Sequence, residues 1–233
     1  MGRMSLLTPL LSADPASPRL TVYDEVAGTR MEFSAMTLDN WANKIANMLI
    51  DEFDLDPHDP FGESPTIIVD LPVSWQAAVI PVGIYNAGLS PYVDVNREKH
   101  QSSAGPRLVF TTVERAKDWD GVPDVVVVSN DPFGRGVVES GGTLPPGLVD
   151  FGPTVRFYGD QFYDNPYDLN SWVLPEDGPE RYLVPGWTTG PEFERRIMCP
   201  LAAGGSVVVI AGVASAERVE QIMEAEKVTE TLS

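Results

Sequence analysis

The string Thr188-Thr189-Gly190-Pro191 has residue types that can hold a phosphate: backbone N–H groups freed by glycine, hydroxyls beside them, and a turn favoured by proline. A phosphate loop also needs a cation near its end, and the next residue here is Glu192. The four lysines, Lys44, Lys99, Lys117 and Lys227, all stand outside glycine-rich stretches. A local turn is the better reading of the string. Other chemistries are no better supplied. Ser140, in SGG, lacks the strand and turn that would expose a nucleophile. His58 and His100 lie far apart in polar stretches and read as surface residues. Cys199, the only cysteine, adjoins an apolar run and reads as a small buried hydrophobe, and its solitude excludes an intrachain disulfide. Asp54, Asp56 and Asp59 are spaced as a solvated loop, without the glycine and terminal glutamate of a calcium loop. No CxxC or GxGxxG spacing occurs. No catalytic residue and no metal ligand is assigned.

The elements that would position these groups follow the order of an α/β chain. RLTVYDE and RMEFS flank VAGT, with Gly28 suited to a positive φ, and predict a β-hairpin at about 19–33 on the edge of the main sheet. Leu38, Trp41, Ile45, Met48 and Leu49 then recur at helical spacing, with Thr37 or Ser34 as the cap. TIIVDL is a nearly continuous apolar strand of the kind buried on both faces of a parallel sheet. WQAAVIPVGIYNAG is a helix ending at Gly88, which Pro81 should kink or restrict, and YVDV is the next strand. RLVFTT, DVVVVS, TVRFY, RYLV and SVVVIA read as further strands, for a sheet of six or more. Ser215 caps a last amphipathic helix through Val219, Ile222 and Met223. The Gly/Pro-rich stretch 130–152 is the place for an internal boundary or excursion in what otherwise reads as one domain over 1–233.

At 233 residues the chain is long enough for a substantial core. Its formal charge of -18 opposes binding to nucleic acid or to an anionic membrane surface. No apolar stretch reaches the length of a membrane span, and the first residues, MGRMSLLTPLLSADP, lack a sustained export signal. With its cysteine usage, these features suggest a cytoplasmic protein.

In order and spacing these segments resemble the opening of the acyl-adenylate-forming superfamily, which includes acyl-CoA synthetases, peptide-synthetase adenylation domains and luciferases. The resemblance is carried by the hairpin, LDNWANKIANML, the strand ending in Leu71-Pro72, the helix ending in Ala87-Gly88, and the strand leading to Asp94. MCPLAAGGSVVVI and SAERVEQIMEAEKVT resemble the family's later Pro-Leu segment and the helix after it. YDE, TLDNWANKIANML and DLPVSWQ also resemble a small actinobacterial group of shorter proteins of this kind, whose function is unassigned. The resemblance implies an α/β fold with a mostly parallel sheet, helices on both faces and an N-terminal hairpin.

The family's Thr-Ser-Gly-Thr-Thr-Gly-x-Pro-Lys loop and its later motifs have no counterpart here, and the family continues for several hundred residues past the part matched. The implied function is a non-catalytic remnant of the fold that binds a ligand or a protein, with a homodimer or other protein partner expected. No cofactor is expected. The alternative is a nucleotide- or acyl-CoA-binding enzyme or subunit, taking ATP, AMP or CoA at a rearranged site of the ligase type. Its natural place is the carboxyl ends of the strands, at Leu71–Trp75 and Ser129–Asp131, which makes Ser74, Trp75, Asn130, Thr188 and Thr189 the cleft candidates.

Overall fold

The apolar runs of the strands are buried on both faces because the strands form two sheets that share a layer of helices. The computed structural model describes residues 5–55, 57, 65–93 and 105–232. A short helix α1 (Thr8–Ala13) leads into the hairpin β1 (Pro18–Asp24) and β2 (Thr29–Ser34), whose turn places Gly28 at φ +65°. Helix α2 (Ala35–Asp51) follows at once, with the Ser34 hydroxyl accepting from the Thr37 N–H at 3.2 Å. Then come β3 (Ile67–Asp70), α3 (Trp75–Asn86), β4 (Pro91–Val93), β5 (Leu108–Thr111), β6 (Asp124–Val127), β7 (Val149–Asp150) and α4 (Phe151–Phe157). The last part holds β8 (Arg181–Val184), α5 (Gly190–Phe193), α6 (Cys199–Ala202), β9 (Ser206–Ala211), α7 (Ala216–Glu226) and β10 (Glu230–Thr231).

The class is α/β with mostly parallel pairing, but among the described residues the strands divide into two sheets of five where one sheet of six or more was expected. One sheet has the order β10-β8-β9-β1-β2, parallel except for the β1–β2 hairpin, which lies at its edge. The other, β4-β3-β5-β6-β7, is parallel throughout. Alternate residues of both sheets, such as Val22 and Val209 of the first and Val69 and Phe110 of the second, meet α2 and α3 in one core cluster. The opposite residues of the first sheet, Tyr23, Val208 and Ile210, are covered by Ile222 of α7, and those of the second, Ile68 and Val109, by Trp119. In the central strands β3, β5 and β9 a residue period of two thus buries successive positions on opposite faces.

Helix α3 is buried along all twelve residues, which explains why WQAAVIPVGIYN has no polar face. It runs through Pro81 as one helix, so the expected restriction of its first part to one turn does not occur: proline removes a single N–H, and packing on all sides outweighs that loss. A Cβ on Gly83 would lie 2.5 Å from the Ile45 Cβ, so the absence of a side chain there sets the distance between α2 and α3. Gly88, at φ +79°, ends the helix, and the Leu89 N–H returns to the Ile84 carbonyl at 3.1 Å.

Of TVRFY, the residues up to Phe157 are helical, within α4, and Tyr158 is the extended residue that ends it, where a strand was expected. Pro153 suits the first turn of a helix and offers no N–H to a ladder, and of the last four residues of α4 only Val155 reaches the core. Segment 130–152 passes through β7, which pairs with β6, into the start of α4. His58, Asp56, Asp59, Asp94, Lys99 and His100 lie outside the described residues.

Candidate functional site

Parallel strands present their carboxyl ends to one crevice, and in the second sheet the centre of that crevice is the turn from β3 into α3. Asp70, at the end of β3, is fully buried and held: the Arg115 guanidinium meets it at 2.7 Å, and the Trp119 indole N–H and the Thr111 hydroxyl donate to it at 2.9 and 3.2 Å. Such a carboxylate braces the strand ends. Ser74 caps α3, its hydroxyl accepting from the Ala77 N–H at 3.1 Å. Trp75 is buried against Trp41 and Phe33, and its indole N–H finds no acceptor among the described residues.

Two loops close on this turn. Gln76, in the first turn of α3, donates from its amide to the carbonyls of Ser129 and Asp131, both at 3.1 Å, and so ties down the loop after β6. On the other side Gly186, at φ +97°, comes so near that a Cβ there would lie 2.9 Å from a Val73 methyl. The structure therefore brings Ser74 and Trp75 next to the loop that carries Thr188 and Thr189. Asn130 is exposed and lies across Gln76 from them, at a small cavity of about 160 Å³ that it shares with Ser129, Glu114 and Ser140. That volume is below the range of ordinary ligand sites.

The loop at Thr188 is occupied by its own chain. Thr189 caps α5, its hydroxyl accepting from the Glu192 N–H at 3.4 Å, and one oxygen of Glu192 accepts from both the N–H and the hydroxyl of Thr188, at 2.6 and 2.7 Å. These donors hold the Glu192 carboxyl below its ordinary range, although burial opposes them. A phosphate would need the same donors.

The loop after β6 is closed in a similar way. Asp131 accepts from the Phe133 and Arg135 N–H groups at 2.8 and 3.2 Å and pairs with the Arg135 guanidinium at 2.7 Å. Burial raises its pKa, and those bonds more than offset it, leaving the carboxyl below its ordinary value. Asp150 takes the Val137 and Val138 N–H groups, and Glu139 takes that of Gly136.

Between α5 and α6 the helix widens into one π turn, Glu194–Met198, a feature common at functional sites. Its side chains also face inward to partners: Glu194 accepts from the Tyr85 hydroxyl at 2.6 Å, Arg195 pairs with Asp177 at 2.9 Å, and Arg196 donates to the Gly186 carbonyl at 2.7 Å. Cys199 is buried, and desolvation raises its thiol, with Asp177 adding to the effect. Among the described residues no group of three His, Cys, Asp or Glu side chains is arranged to hold a metal, and no helix is long and apolar enough to cross a membrane.

Reasoning from the sequence missed Gln76 and Glu192. The second had a signal, since Thr189-x-x-Glu192 is the spacing of a capping box. Two larger cavities lie away from Ser74, Trp75 and Asn130. An apolar one of about 470 Å³ sits between the ends of β8, β9 and β10 and α7, lined by Leu183, Ile210, Val219 and Leu232. A second, of about 800 Å³, opens between α1, α2 and residues 160–163.

No protein-family model matches the chain. It is 32% identical over 187 residues to a Mycobacterium tuberculosis protein that is named for its family and for no activity, a match over 77% of this chain and 65% of that protein. Two solved structures share the fold. An acyl-CoA synthetase of Brucella canis superposes with a TM-score of 0.72 at 15% identity, over 98% of this chain and 47% of that one. An amide bond synthetase of Marinactinospora thermotolerans superposes with a TM-score of 0.62 at 14% identity, over 97% and 47%. The chain thus spans about half the length of the structures it matches and about two-thirds of its curated relative. The chain has the fold of the part of these two synthetases that it covers.

Proposed function

We propose that this chain is a non-catalytic member of the adenylate-forming fold, acting as a binding module for a ligand or a protein partner in the cytoplasm. The observation that carries the reading is Glu192. The Thr188 donors nearest to a phosphate-gripping geometry already hold a carboxylate, and a bound polyphosphate would have to displace it against like charge. The three described lysines stand elsewhere: Lys44 donates to the Tyr158 carbonyl, Lys117 lies in the short helical turn Ala116–Trp119, and Lys227 ends α7. Asp131, Asp150 and Glu139 occupy the loop N–H groups across the crevice in the same manner. These loop N–H groups thus have acceptors within the chain.

Self-association is part of the proposal. Val26 and Val213 are exposed side by side at the ends of β1 and β9, next to the apolar cavity under α7, and an apolar patch of this kind favours a partner surface. Titration calorimetry of the purified chain with ATP, AMP and CoA tests the reading: no heat is expected for any of them. Saturable binding of ATP or CoA would overturn it in favour of a nucleotide- or acyl-CoA-handling protein with a rearranged site.

A further inference from the structure

The cavity between α1, α2 and residues 160–163 has a rigid polar floor and an apolar wall. The floor is Asp39, on α2, which is 6% exposed and has no lysine or arginine paired with it among the described residues. One oxygen accepts from the Ser5 hydroxyl and the other from the Asn43 amide at 2.8 Å. Two donors leave a carboxylate with unused acceptor positions on both oxygens. Burial raises the Asp39 carboxyl, and these two bonds only partly oppose it, as expected of a buried anion without a countercharge.

The surroundings are fixed before any ligand arrives. Asn43 also donates to the Asp160 carbonyl at 3.0 Å and accepts from the buried Asn86 amide at 2.8 Å, and Asn86 in turn accepts the Leu6 N–H at 2.9 Å. Farther along α2, Lys44 and Asn47 donate to the carbonyls of Tyr158, Gly159 and Gln161, at 2.7 to 2.9 Å. Three side chains of one helix thus pin the segment that forms the opposite wall. Met36, Leu11, Phe162 and Tyr163 supply the apolar lining, and Asp160 also lines the cavity.

We infer that this cavity binds a small organic cation, an ammonium on an aliphatic or aromatic body, with its charge on Asp39 and its body against Phe162 and Tyr163. The volume, about 800 Å³, is that of a small-molecule site. An ammonium supplies both what Asp39 lacks, a countercharge and further donors, while the two aromatic rings favour a cation over a neutral group. The chain's net charge of -18 attracts cations and repels anions at long range. The cavity lies apart from the β3–α3 turn, and its occupancy does not depend on whether that turn takes nucleotide.

The test uses phenethylammonium with its neutral and anionic analogues, 2-phenylethanol and 3-phenylpropionate, titrated into the full chain by calorimetry. The cation should bind, the alcohol at least about tenfold more weakly, the scale of a charge-assisted hydrogen bond, and the carboxylate not at all. Asp39→Asn should weaken the cation by at least about tenfold while leaving the alcohol unchanged. Equal affinity for cation and alcohol, no binding of either, or an unchanged cation affinity in Asp39→Asn would each overturn the inference. If that variant does not fold, Leu11→Trp, a half-buried position on the cavity wall, replaces it: the added indole should abolish cation binding, and retained affinity would place the ligand elsewhere.

Discussion

Replacing Glu192 with alanine removes the acceptor of two hydrogen bonds at once, because the Thr188 N–H and hydroxyl converge on the same oxygen at 2.6 and 2.7 Å. A buried hydrogen bond to a charged group contributes about 1.5–3 kcal/mol, but the Glu192 side chain is 37% exposed, so water replaces much of each bond. Its pair with Arg196, at 3.6 Å, adds little at such a site. A net loss of about 1–2 kcal/mol follows, which for a chain of this size lowers Tm by roughly 2–8 °C. Glu192→Gln keeps an oxygen for both donors and loses only the charge, so its loss should be about half as large. The Glu192 carboxyl lies below its ordinary range, chiefly through the Thr188 hydroxyl, so this stabilisation is present above that range and is lost as pH falls through the folded-state value. Thermal melting by circular dichroism at neutral pH, repeated with ATP present, is the assay. If Glu192→Ala melts with the unaltered protein, the carboxylate does not hold the loop. If it gains saturable ATP binding, the loop retained its phosphate geometry and only the acid kept it empty. The first result removes the support for a silent crevice, and the second limits that silence to a single residue.

Two further outcomes follow from the packing. Gly83→Ala places a Cβ 2.5 Å from that of Ile45, where no rotamer relieves the overlap, and should cost about 1–3 kcal/mol by urea unfolding despite the better helix propensity of alanine; a stability equal to that of the unaltered chain would show that α2 and α3 are farther apart. Glu226, 9% exposed, accepts from Tyr23 and Arg30 at 2.6 and 2.7 Å and pairs with Arg181. Burial raises its carboxyl, but these partners, Arg30 foremost, pull it down to about 2 from 4.5. A depressed carboxyl stabilises above its unfolded value, so stability should hold at neutral pH and fall as pH drops from about 4.5 towards about 2. In Glu226→Gln that part of the acid transition should vanish, and an unchanged acid profile by circular dichroism would assign it to other carboxyls.

The strands were legible because burial on both faces writes itself as a continuous apolar run: Ile67–Val69, Val125–Val127 and Val207–Ile210 have no polar face to lose. Their division between two sheets was not legible, since a strand of either sheet reads alike. One clue lay in α3, whose apolar residues encircle the helix and so require partners on every side. At TVRFY the apolar pattern fits two periods, and Pro153, permissive in a first helical turn, decides for the helix. Strands β7 and β10, two residues each, are too short to carry a period. In the crevice the capping spacing Thr189-x-x-Glu192 was on view, whereas the approach of Gly186 to Val73 and the reach of Gln76 across to Ser129 and Asp131 are tertiary contacts without local signature. The floor of the α1–α2 cavity joins Ser5, Asp39, Asn43 and Asn86 over 81 positions of sequence, and nothing in their neighbours announces it.

Loops at the ends of parallel strands expose backbone N–H groups that need an acceptor, and an anionic ligand or an acidic side chain satisfies them equally well. Here the acceptors are side chains: Glu192 at one loop, and Asp131, Glu139 and Asp150 at the other. Each one fixes its loop in the absence of ligand, and each adds a negative charge where a phosphate would arrive. Asp39 presents the opposite case. Among the described residues its carboxylate serves no loop N–H and has no countercharge, and it lines a cavity of ligand size, which is what the proposed cation would complete. The same acidic chain thus places carboxylates on the N–H groups of its strand-end loops and a further one, Asp39, in the cavity beside α1 and α2.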